Sequence, residues 1–303
     1  GNSGRAERDP ADRTGEVMKM GFLQTMELAW PAEELKKWKS MKKAVYLLLP
    51  LFLYYVVHDL AQIVLWGGLE LMLSGNDGVL REWLIQNGQT ANGMVSGIAI
   101  LLGMLPIWSM LKKEALPVWK KKGNVTSYGV LAAIALCVSM GVNILFFQMG
   151  ITESSAAYTR VEEAQYGVAF AIGLVLYGVI SPIAEEAVFR GIIYNRMKRC
   201  FSVKLAVPLS ALLFGLYHGN TVQALYGFLL GVIIAIVYER SESFAAPVIF
   251  HAVANVTVFT VTYRNGLRDL NSAVAIGLAV ALLIFAAGLG VWYLKLCEMG
   301  ENK

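Results

Sequence analysis

The sequence predicts an all-α protein, a polytopic integral membrane helical bundle of about eight transmembrane helices. Hydrophobic residues make up 56% of the 303 residues, and the mean hydropathy is +0.55. Charged residues make up only 16%, whereas soluble domains contain about 25%. The apolar residues are also gathered into repeated runs of about 20, the length at which an α-helix crosses a bilayer. These observations exclude a soluble globular domain.

Eight apolar segments account for the predicted helices. The first three cover about 44–73, 91–111 and 128–149. The fourth begins near 166 and contains two glutamates toward its end. The last four cover about 205–217, 222–238, 244–262 and 272–296. Each is long enough for a bilayer, or nearly so. The sequence leaves open how His218, at the end of the fifth segment, comes to lie at the same depth in the membrane as the glutamates of the fourth segment. The fifth helix must start late, tilt strongly, or begin outside the hydrocarbon core.

The domain organisation is simple, since the sequence has no repeat period and no polar linker after its N-terminal part. We predict a polar N-terminal arm at 1–43 and one integral membrane domain at 44–303. Within the arm, Leu35, Trp38 and Met41 fall on one face of a lysine-rich segment. This pattern fits a helix at the membrane surface and fits a solvated connector equally well.

Positively charged residues lie in alternate loops between the apolar segments. Lysines precede the first segment and follow the second, and a Lys/Arg group at 196–204 follows the fourth. By the positive-inside rule, both termini of this multi-pass protein lie in the cytoplasm, and the protein resides in the cell membrane with the lipid bilayer around it. Because orientation explains these clusters and no nucleic-acid motif is present, nucleic acid is not an expected partner.

The strongest candidate for a functional site is a pair of acids inside the fourth segment. Glu185 and Glu186 follow an uncharged run that contains Pro182, and Arg190 comes one helical turn later. Charges in a membrane helix cost at least a few kcal/mol each, so they usually mark function. Glu186 and Arg190, four residues apart, can form an ion pair, whereas Glu185 points about 100° away. We expect Arg190 to keep Glu186 ionised and Glu185 to bind a water or a proton.

Two later segments supply imidazole and carboxamide groups. His218 follows the fifth segment, and His251 and Asn255 lie four residues apart on one face of the seventh. His218 together with Glu185 can orient and deprotonate a water. His251 and Asn255 can donate hydrogen bonds to an oxyanion formed on a carbonyl carbon. The set therefore predicts acid–base hydrolysis assembled from three helices.

Two other interpretations of these residues stay open. Polar side chains in membrane bundles often only bond neighbouring helices together, at about 1 kcal/mol or less. Alternatively, Glu185, His218 and His251 could be zinc ligands that leave a fourth position for water. The sequence has no His-Glu-x-x-His helix, and Asn255 would be a poor zinc ligand. No cofactor is therefore favoured, and zinc is the alternative.

Three short motifs in these segments resemble a known family. Glu-Glu-Ala-Val-Phe-Arg, Phe-Gly-Leu-Tyr-His and His-Ala-Val-Ala-Asn are similar, in this order, to the motifs of the CPBP intramembrane proteases. That family groups type II CAAX prenyl endopeptidases with bacteriocin-processing and bacteriocin-immunity (Abi) proteins, and the similar region covers about 166–262. The resemblance implies a metal-free mechanism. By this resemblance, Glu185 with His218 would activate the water, and His251 with Asn255 would stabilise the oxyanion. Glu186 and Arg190 would support the site.

We therefore predict an intramembrane endopeptidase that hydrolyses a peptide bond near the cytoplasmic leaflet. Its expected substrate is a peptide or protein, with or without a lipid modification or membrane anchor. The alternatives are a non-enzymatic bacteriocin-immunity or maturation membrane protein of the same fold, a zinc-dependent version of the protease, and a proton- or ion-coupled transporter. Nothing in the sequence resembles inverted repeats, which disfavours the transporter.

Overall fold

A computed structural model describes residues 35, 37, 39–74, 78–114, 125–266 and 271–301. Within these ranges the chain forms helices and no β-strand. The helices are α1 (Ser40–Leu73), α2 (Val79–Gln86), α3 (Gly88–Glu114), α4 (Val125–Gln148), α5 (Ala156–Tyr166), α6 (Phe170–Cys200), α7 (Val203–Tyr217), α8 (Thr221–Ser241), α9 (Ala245–Tyr263) and α10 (Ser272–Glu301).

Seven helices of the described ranges are long and apolar enough to cross a membrane: α1, α3, α4, α6, α8, α9 and α10. The predicted all-α, polytopic membrane bundle is therefore confirmed. The remaining predicted segment is α7, which has 15 residues and spans about 22 Å, less than the hydrocarbon core of about 30 Å. The short helices α2 and α5, which lie between membrane segments, are additional to the prediction.

Helix α6 departs from regular α-helical hydrogen bonding in two places. Leu176–Ile180 and Ala187–Tyr194 form π-helical turns, in which an N–H bonds to the carbonyl five residues back. The Ser181 N–H, for example, donates to the Leu176 carbonyl. Between the two π-helical turns, Ser181–Glu186 is α-helical and ends with the paired glutamates. Since π-helical turns are frequent at functional sites, this part of α6 is where a site is expected.

The buried part of α6 is the centre of the packing. All eight residues of Ala187–Tyr194 are buried, and Phe189, Ile192 and Ile193 pack in an apolar core with residues of α1, α3, α7 and α8. A second core joins α4, α8, α9 and α10. Because α8 contributes to both cores, it holds the two groups of helices together, and Ser181–Glu186 contacts α9 directly. The paired glutamates therefore lie where the two groups meet.

Glycines let α7 and α8 pack closely against each other. A Cβ at Gly215 would lie 2.4 Å from the carbonyl oxygen of Ala224 on α8, and a Cβ at Gly231 would lie 3.2 Å from Ala211 of α7, which is a tight contact. The turn that joins these helices begins at His218 and continues through Gly219, whose φ of +72° is a conformation that favours glycine. Close packing therefore holds His218, which is half-buried, against Gly227 of α8.

Charged side chains join the ends of several helices at one end of the bundle. Arg196 and Arg199 near the end of α6 contact the carboxylate of Glu114 at the end of α3, at 3.3 and 2.5 Å. Lys198 pairs with Glu239 of α8 at 2.7 Å. We call this the basic end, after Arg196, Lys198 and Arg199. It is the end that the loop charges predict to be cytoplasmic.

Several sequence predictions concern residues outside the described ranges. The polar arm up to residue 34 and the lysines at 120–122 are among them, as is Trp38 of the predicted surface helix. Helix α1 begins at Ser40, so Met41 belongs to it, and Leu35 is buried. The division of the chain into an arm at 1–43 and a membrane domain at 44–303 stays a prediction.

Candidate active site

The second glutamate of the pair is held by a buried arginine. Glu186 and Arg190 are both fully buried, and Arg190 Nη1 lies 3.0 Å from Glu186 Oε1. Arg190 Nη2 donates a second hydrogen bond to the Gly231 carbonyl of α8 at 3.0 Å, and the guanidinium lies 4.6 Å from the centre of the Phe214 ring on α7. The ion pair that the four-residue spacing predicts is present, and it also ties α6 to α7 and α8.

His251 of α9 lies against both glutamates. Its Nδ1 is 2.8 Å from Glu186 Oε1, and its Nε2 is 3.7 Å from Glu185 Oε2. A carboxylate oxygen accepts, so Nδ1 of His251 carries the proton and donates a hydrogen bond to Glu186. Among the described ion pairs, the imidazole within 4 Å of Glu185 is that of His251, and the water that Glu185 is predicted to share with His218 stays a prediction. His251 lies there because α9 packs directly on Ser181–Glu186.

The two carboxylate oxygens of Glu185 have different surroundings. The residue is only 9% exposed. Oε1 accepts a hydrogen bond from Ser181 Oγ at 2.5 Å. Oε2 is buried, has no hydrogen-bond partner in the described part of the chain, and faces His251 Nε2. Since buried carboxylate oxygens are normally paired, Oε2 is the atom able to accept a proton from a bound molecule.

His218 follows the last residue of α7 and is fixed by that helix. Its Nδ1 lies 2.8 Å from the Phe214 carbonyl oxygen. A carbonyl cannot donate, so Nδ1 carries the proton, and Nε2 of the neutral ring is an acceptor. Only two residues join the end of α6, at Cys200, to the start of α7, at Val203. Glu185 lies fifteen residues before this connection along α6, and His218 lies fifteen residues after it along α7. Both side chains therefore lie at a similar depth from the basic end, which answers the question that the sequence left open about the fifth segment.

Asn255 is held by a carbonyl that the irregular part of α6 leaves without a helical donor. In the π-helical turn that begins at Leu176, a carbonyl bonds to the N–H five residues ahead. For Tyr177 that residue is Pro182, which has no N–H. Asn255 Nδ2 donates to the Tyr177 carbonyl instead, at 2.9 Å. This bond fixes the orientation of the amide and leaves its second N–H for another acceptor.

The four residues predicted to be catalytic line one cavity of about 260 Å³: Glu185, His218, His251 and Asn255. Residues of α6, α7, α8 and α9 surround the cavity, and α5 and the loop before it line the part farthest from the basic end. Glu185 is near the middle of the 31-residue helix α6. The site thus lies at mid-helix, and the predicted position near the cytoplasmic leaflet stays a prediction.

The zinc alternative needs three converging ligands. In the described part of the chain, no group of three His, Cys, Asp or Glu side chains could hold a metal ion. His218 and His251 each direct Nδ1 to a protein oxygen, which leaves one ring nitrogen apiece. Histidines that bind zinc usually donate their other ring N–H to a protein oxygen, so these two hydrogen bonds do not decide against zinc. The metal content of the protein stays a prediction to be measured.

Two residues at the site were not singled out from the sequence. Ser181 bonds to Glu185, and the ring of Phe214 lies 5.1 Å from the ring of His218 and 5.5 Å from that of His251. The four-residue spacing of Ser181 and Glu185 is a signal that could have revealed the first. The position of Phe214 depends on how α7 packs, which helical spacing does not contain.

Comparison with known proteins finds similar membrane peptidases. Residues 167–257 match the family described as type II CAAX prenyl endopeptidase Rce1-like. The chain is 27% identical to the "Putative membrane peptidase YdiL" of Bacillus subtilis (strain 168) over 176 residues, which cover 54% of this chain and 68% of that protein. It is 24% identical to the "Membrane-embedded CAAX protease MroQ" of Staphylococcus aureus (strain USA300) over 242 residues, which cover 76% and 92% of the two chains. No solved structure matches the chain.

The matched region contains the whole cluster of acids, imidazoles and amide described above. All six candidate residues, from Glu185 to Asn255, fall between residues 167 and 257. The family resemblance and the membrane-embedded peptidase that the sequence predicts are both confirmed. Residues 167–257 therefore match the type II CAAX prenyl endopeptidase Rce1-like family, and the protein is a membrane peptidase.

Proposed function

We propose that the protein is an intramembrane endopeptidase in which Glu185 and His218 activate a water for attack on a peptide carbonyl. One observation carries this proposal. Glu185 Oε2 is a buried carboxylate oxygen without a hydrogen-bond partner in the described structure, and Glu185 borders the cavity that it shares with His218, His251 and Asn255. A free acceptor in a cavity lined by two imidazoles suits the removal of a proton from water.

The hydrogen bonds around Glu185 and His218 support a shared role for them. Ser181 already occupies Glu185 Oε1, so Oε2 is the acceptor that faces the cavity. The Phe214 carbonyl occupies the Nδ1–H of His218, so Nε2 is a second acceptor on the same cavity. A water that donates one hydrogen to each group presents its oxygen lone pairs to the substrate, which is the orientation that hydrolysis needs.

The net charge of the buried cluster of Glu185, Glu186 and Arg190 favours the binding of one proton. With both glutamates ionised and Arg190 positive, the set carries one net negative charge, so a single proton on Glu185 or His251 makes it neutral. In the proposed reaction the water gives a proton to Glu185 as its oxygen bonds to the carbonyl carbon. That proton then passes to the amide nitrogen as the C–N bond breaks. One water is consumed, and the products are a carboxylic acid and an amine.

His251 and Asn255 are the proposed donors to the oxyanion. Glu186 holds the His251 ring by Nδ1, so a protonated Nε2 can donate toward the cavity. Asn255 keeps one N–H after its bond to the Tyr177 carbonyl. One such donor typically contributes about 10²–10³-fold to the rate. In this proposal the Glu186–Arg190 pair supports the site by fixing His251, and no metal takes part.

The proposed location is the cell membrane, with both termini in the cytoplasm. The basic end supports this orientation through the positive-inside rule. We place the scissile bond at mid-depth, because Glu185 lies near the middle of α6. The proposed substrate is a peptide or protein segment that reaches into the bilayer, with or without a lipid modification. The name CAAX protease, which the Staphylococcus aureus relative carries, agrees with a peptide substrate.

A comparison of membrane peptides tests the proposal. Cells that express wild type, Glu185→Ala, His218→Ala or the control Glu163→Gln are fractionated, and membrane-associated peptides are identified by mass spectrometry. Glu163 is an exposed residue of α5 that does not line the cavity. We expect a set of cleavage products in wild type and Glu163→Gln that both alanine variants lack, at equal amounts of folded protein. Identical peptide sets in wild type and Glu185→Ala would show that the assignment is wrong.

A further inference from the structure

The cavity has a second polar region, away from Glu185, that the proposed hydrolysis does not use. We call it the α5 subsite and define it by residues of α5, of the loop before α5 and of α8, which all line the cavity: Thr152, Tyr158, Glu162, Gln165 and Tyr226. The helix itself is well defined, since the Ser155 side chain caps its first turn by accepting from the Tyr158 N–H at 3.3 Å. The α5 subsite is therefore built on a fixed element.

Two hydroxyl groups in the α5 subsite are buried without a hydrogen-bond partner in the described part of the chain. They are Thr152 Oγ1 and the phenol oxygen of Tyr226. The Tyr226 ring is held in edge contact with Phe146, with 6.0 Å between ring centres. Buried polar atoms are almost always paired, so these two suit a ligand that brings its own donors and acceptors. An extended peptide backbone is such a ligand.

Glu162 gives the α5 subsite a negative charge. Its side chain is half-buried, and within the described structure it forms no ion pair. The charged residues among those that line the cavity are Glu162 and Glu185, and no described Lys or Arg is one of them. Partial burial and the neighbouring Glu163 raise the pKa of the Glu162 carboxyl above its usual value. A cationic group bound here would compensate for both effects, because an opposite charge favours the ionised carboxylate.

We propose that Glu162 is a specificity-determining residue that binds the side-chain cation of a Lys or Arg in the substrate. The basic residue would lie on the side of the scissile bond nearer to α5, with Thr152 and Tyr226 bonding the peptide near it. This inference rests on the proposed function, since it takes the bond to be cleaved as lying at Glu185. The two carboxylates that line the cavity repel a peptide with an acidic residue at the same position.

Binding of defined peptide mixtures tests the inference separately from catalysis. Each mixture contains acetylated, amidated octapeptides with one position fixed as Lys, norleucine or Glu and the others randomised. A fourth mixture has norleucine at that position and a free N-terminus, because an N-terminal amine has the same chemistry as a lysine side chain. The protein in lipid nanodiscs is wild type, Glu162→Gln, Glu162→Lys or the matched control Glu163→Gln. Retained peptides and cleaved peptides are both quantified by mass spectrometry.

We expect wild type and Glu163→Gln to retain the mixture with Lys at the fixed position about 10-fold better than the mixture with Glu there. A difference of this size is typical of a partly buried charge pair. Glu162→Gln should remove most of this preference, and Glu162→Lys should reverse it. Equal retention of the Lys and Glu mixtures by wild type, or a preference that Glu162→Gln leaves unchanged, would overturn the inference. Retention of the free N-terminus mixture in place of the Lys mixture would also overturn the assignment to a side chain.

One further sample, Glu185→Gln in the same nanodiscs and with the same mixtures, separates this inference from the proposed function. One outcome is a Lys preference that depends on Glu162 together with cleavage that Glu185→Gln does not change. This outcome would support the α5 subsite and refute the proposed hydrolysis. Cleavage that depends on Glu185 but is indifferent to the fixed residue would do the opposite.

Discussion

Replacing Arg190 by glutamine tests whether a buried ion pair holds the candidate site together. Arg190 and Glu186 are both fully buried, and Arg190 also bonds to the Gly231 carbonyl and lies over the Phe214 ring. After Arg190→Gln, the Glu186 carboxylate keeps one partner among those described, the Nδ1–H of His251 at 2.8 Å. A charge would then be buried without a compensating cation.

The magnitude follows from this burial. Removing one partner of a buried ion pair typically costs about 3–5 kcal/mol, because the remaining charge has lost its compensation. Arg199→Gln is the matched control, the same substitution on the same helix. Its partner Glu114 keeps a second cation, Arg196, so no charge is left uncompensated, and the loss should be about 1 kcal/mol. The double variant Glu186→Gln/Arg190→Gln removes the uncompensated charge, so it should recover at least about 1 kcal/mol relative to Arg190→Gln.

The assay is reversible unfolding in mixed micelles of dodecyl maltoside and dodecyl sulfate, followed by the fluorescence of the 7 tryptophans. The expected order of stability is wild type, then Arg199→Gln, then the double variant, and last Arg190→Gln. The reasoning would be refuted if Arg190→Gln were as stable as Arg199→Gln, or if the double variant were the least stable of all.

Three further predictions concern the oxyanion donor, the helix packing and the metal. Asn255→Ala should lower kcat for peptide cleavage in nanodiscs by about 10²–10³-fold through loss of one donor, and an unchanged kcat would remove Asn255 from the mechanism. Gly215→Ala should cost about 1–3 kcal/mol in the unfolding assay, because its Cβ would lie 2.4 Å from the Ala224 carbonyl oxygen. Gly288→Ala, with no atom within 4 Å of the new Cβ, should cost nothing, and an equal loss in both would contradict the packing argument. Elemental analysis should find far less than one zinc per chain; one zinc per chain that is lost in His218→Ala would contradict the metal-free mechanism.

The helices could be predicted because their signal is local. A run of about 20 apolar residues needs no knowledge of its neighbours to be read as a membrane helix. The Glu186–Arg190 pair could be predicted for the same reason, since both residues lie on one helix at four-residue spacing. Helix α5 escaped prediction because it has only 11 residues and a mixed polar and apolar composition, which resembles a loop in the sequence.

The partners of the site residues could not be predicted, because they depend on which helices are neighbours. Spacing predicts that His251 and Asn255 share a face of α9, but it does not contain the contact of that face with Glu186. The bond from Asn255 to the Tyr177 carbonyl has a further cause, since it requires a π-helical turn that brings Pro182 into register with that carbonyl. Hydrophobic periodicity carries no information about such a turn, and the direction of the cavity toward α5 follows from tertiary packing alone.

The most direct test of the account measures cleavage by the purified protein in water enriched in oxygen-18. The substrate is the octapeptide mixture with Lys at the fixed position, and the proteins are wild type, Glu185→Gln and Glu163→Gln, each checked for an unchanged melting temperature. The account predicts new C-termini that carry oxygen-18 in wild type and Glu163→Gln, and a rate about 10²–10⁴-fold lower in Glu185→Gln, the range expected for loss of a general base. Cleavage by Glu185→Gln at the wild-type rate would contradict the claim that this carboxylate activates the attacking water.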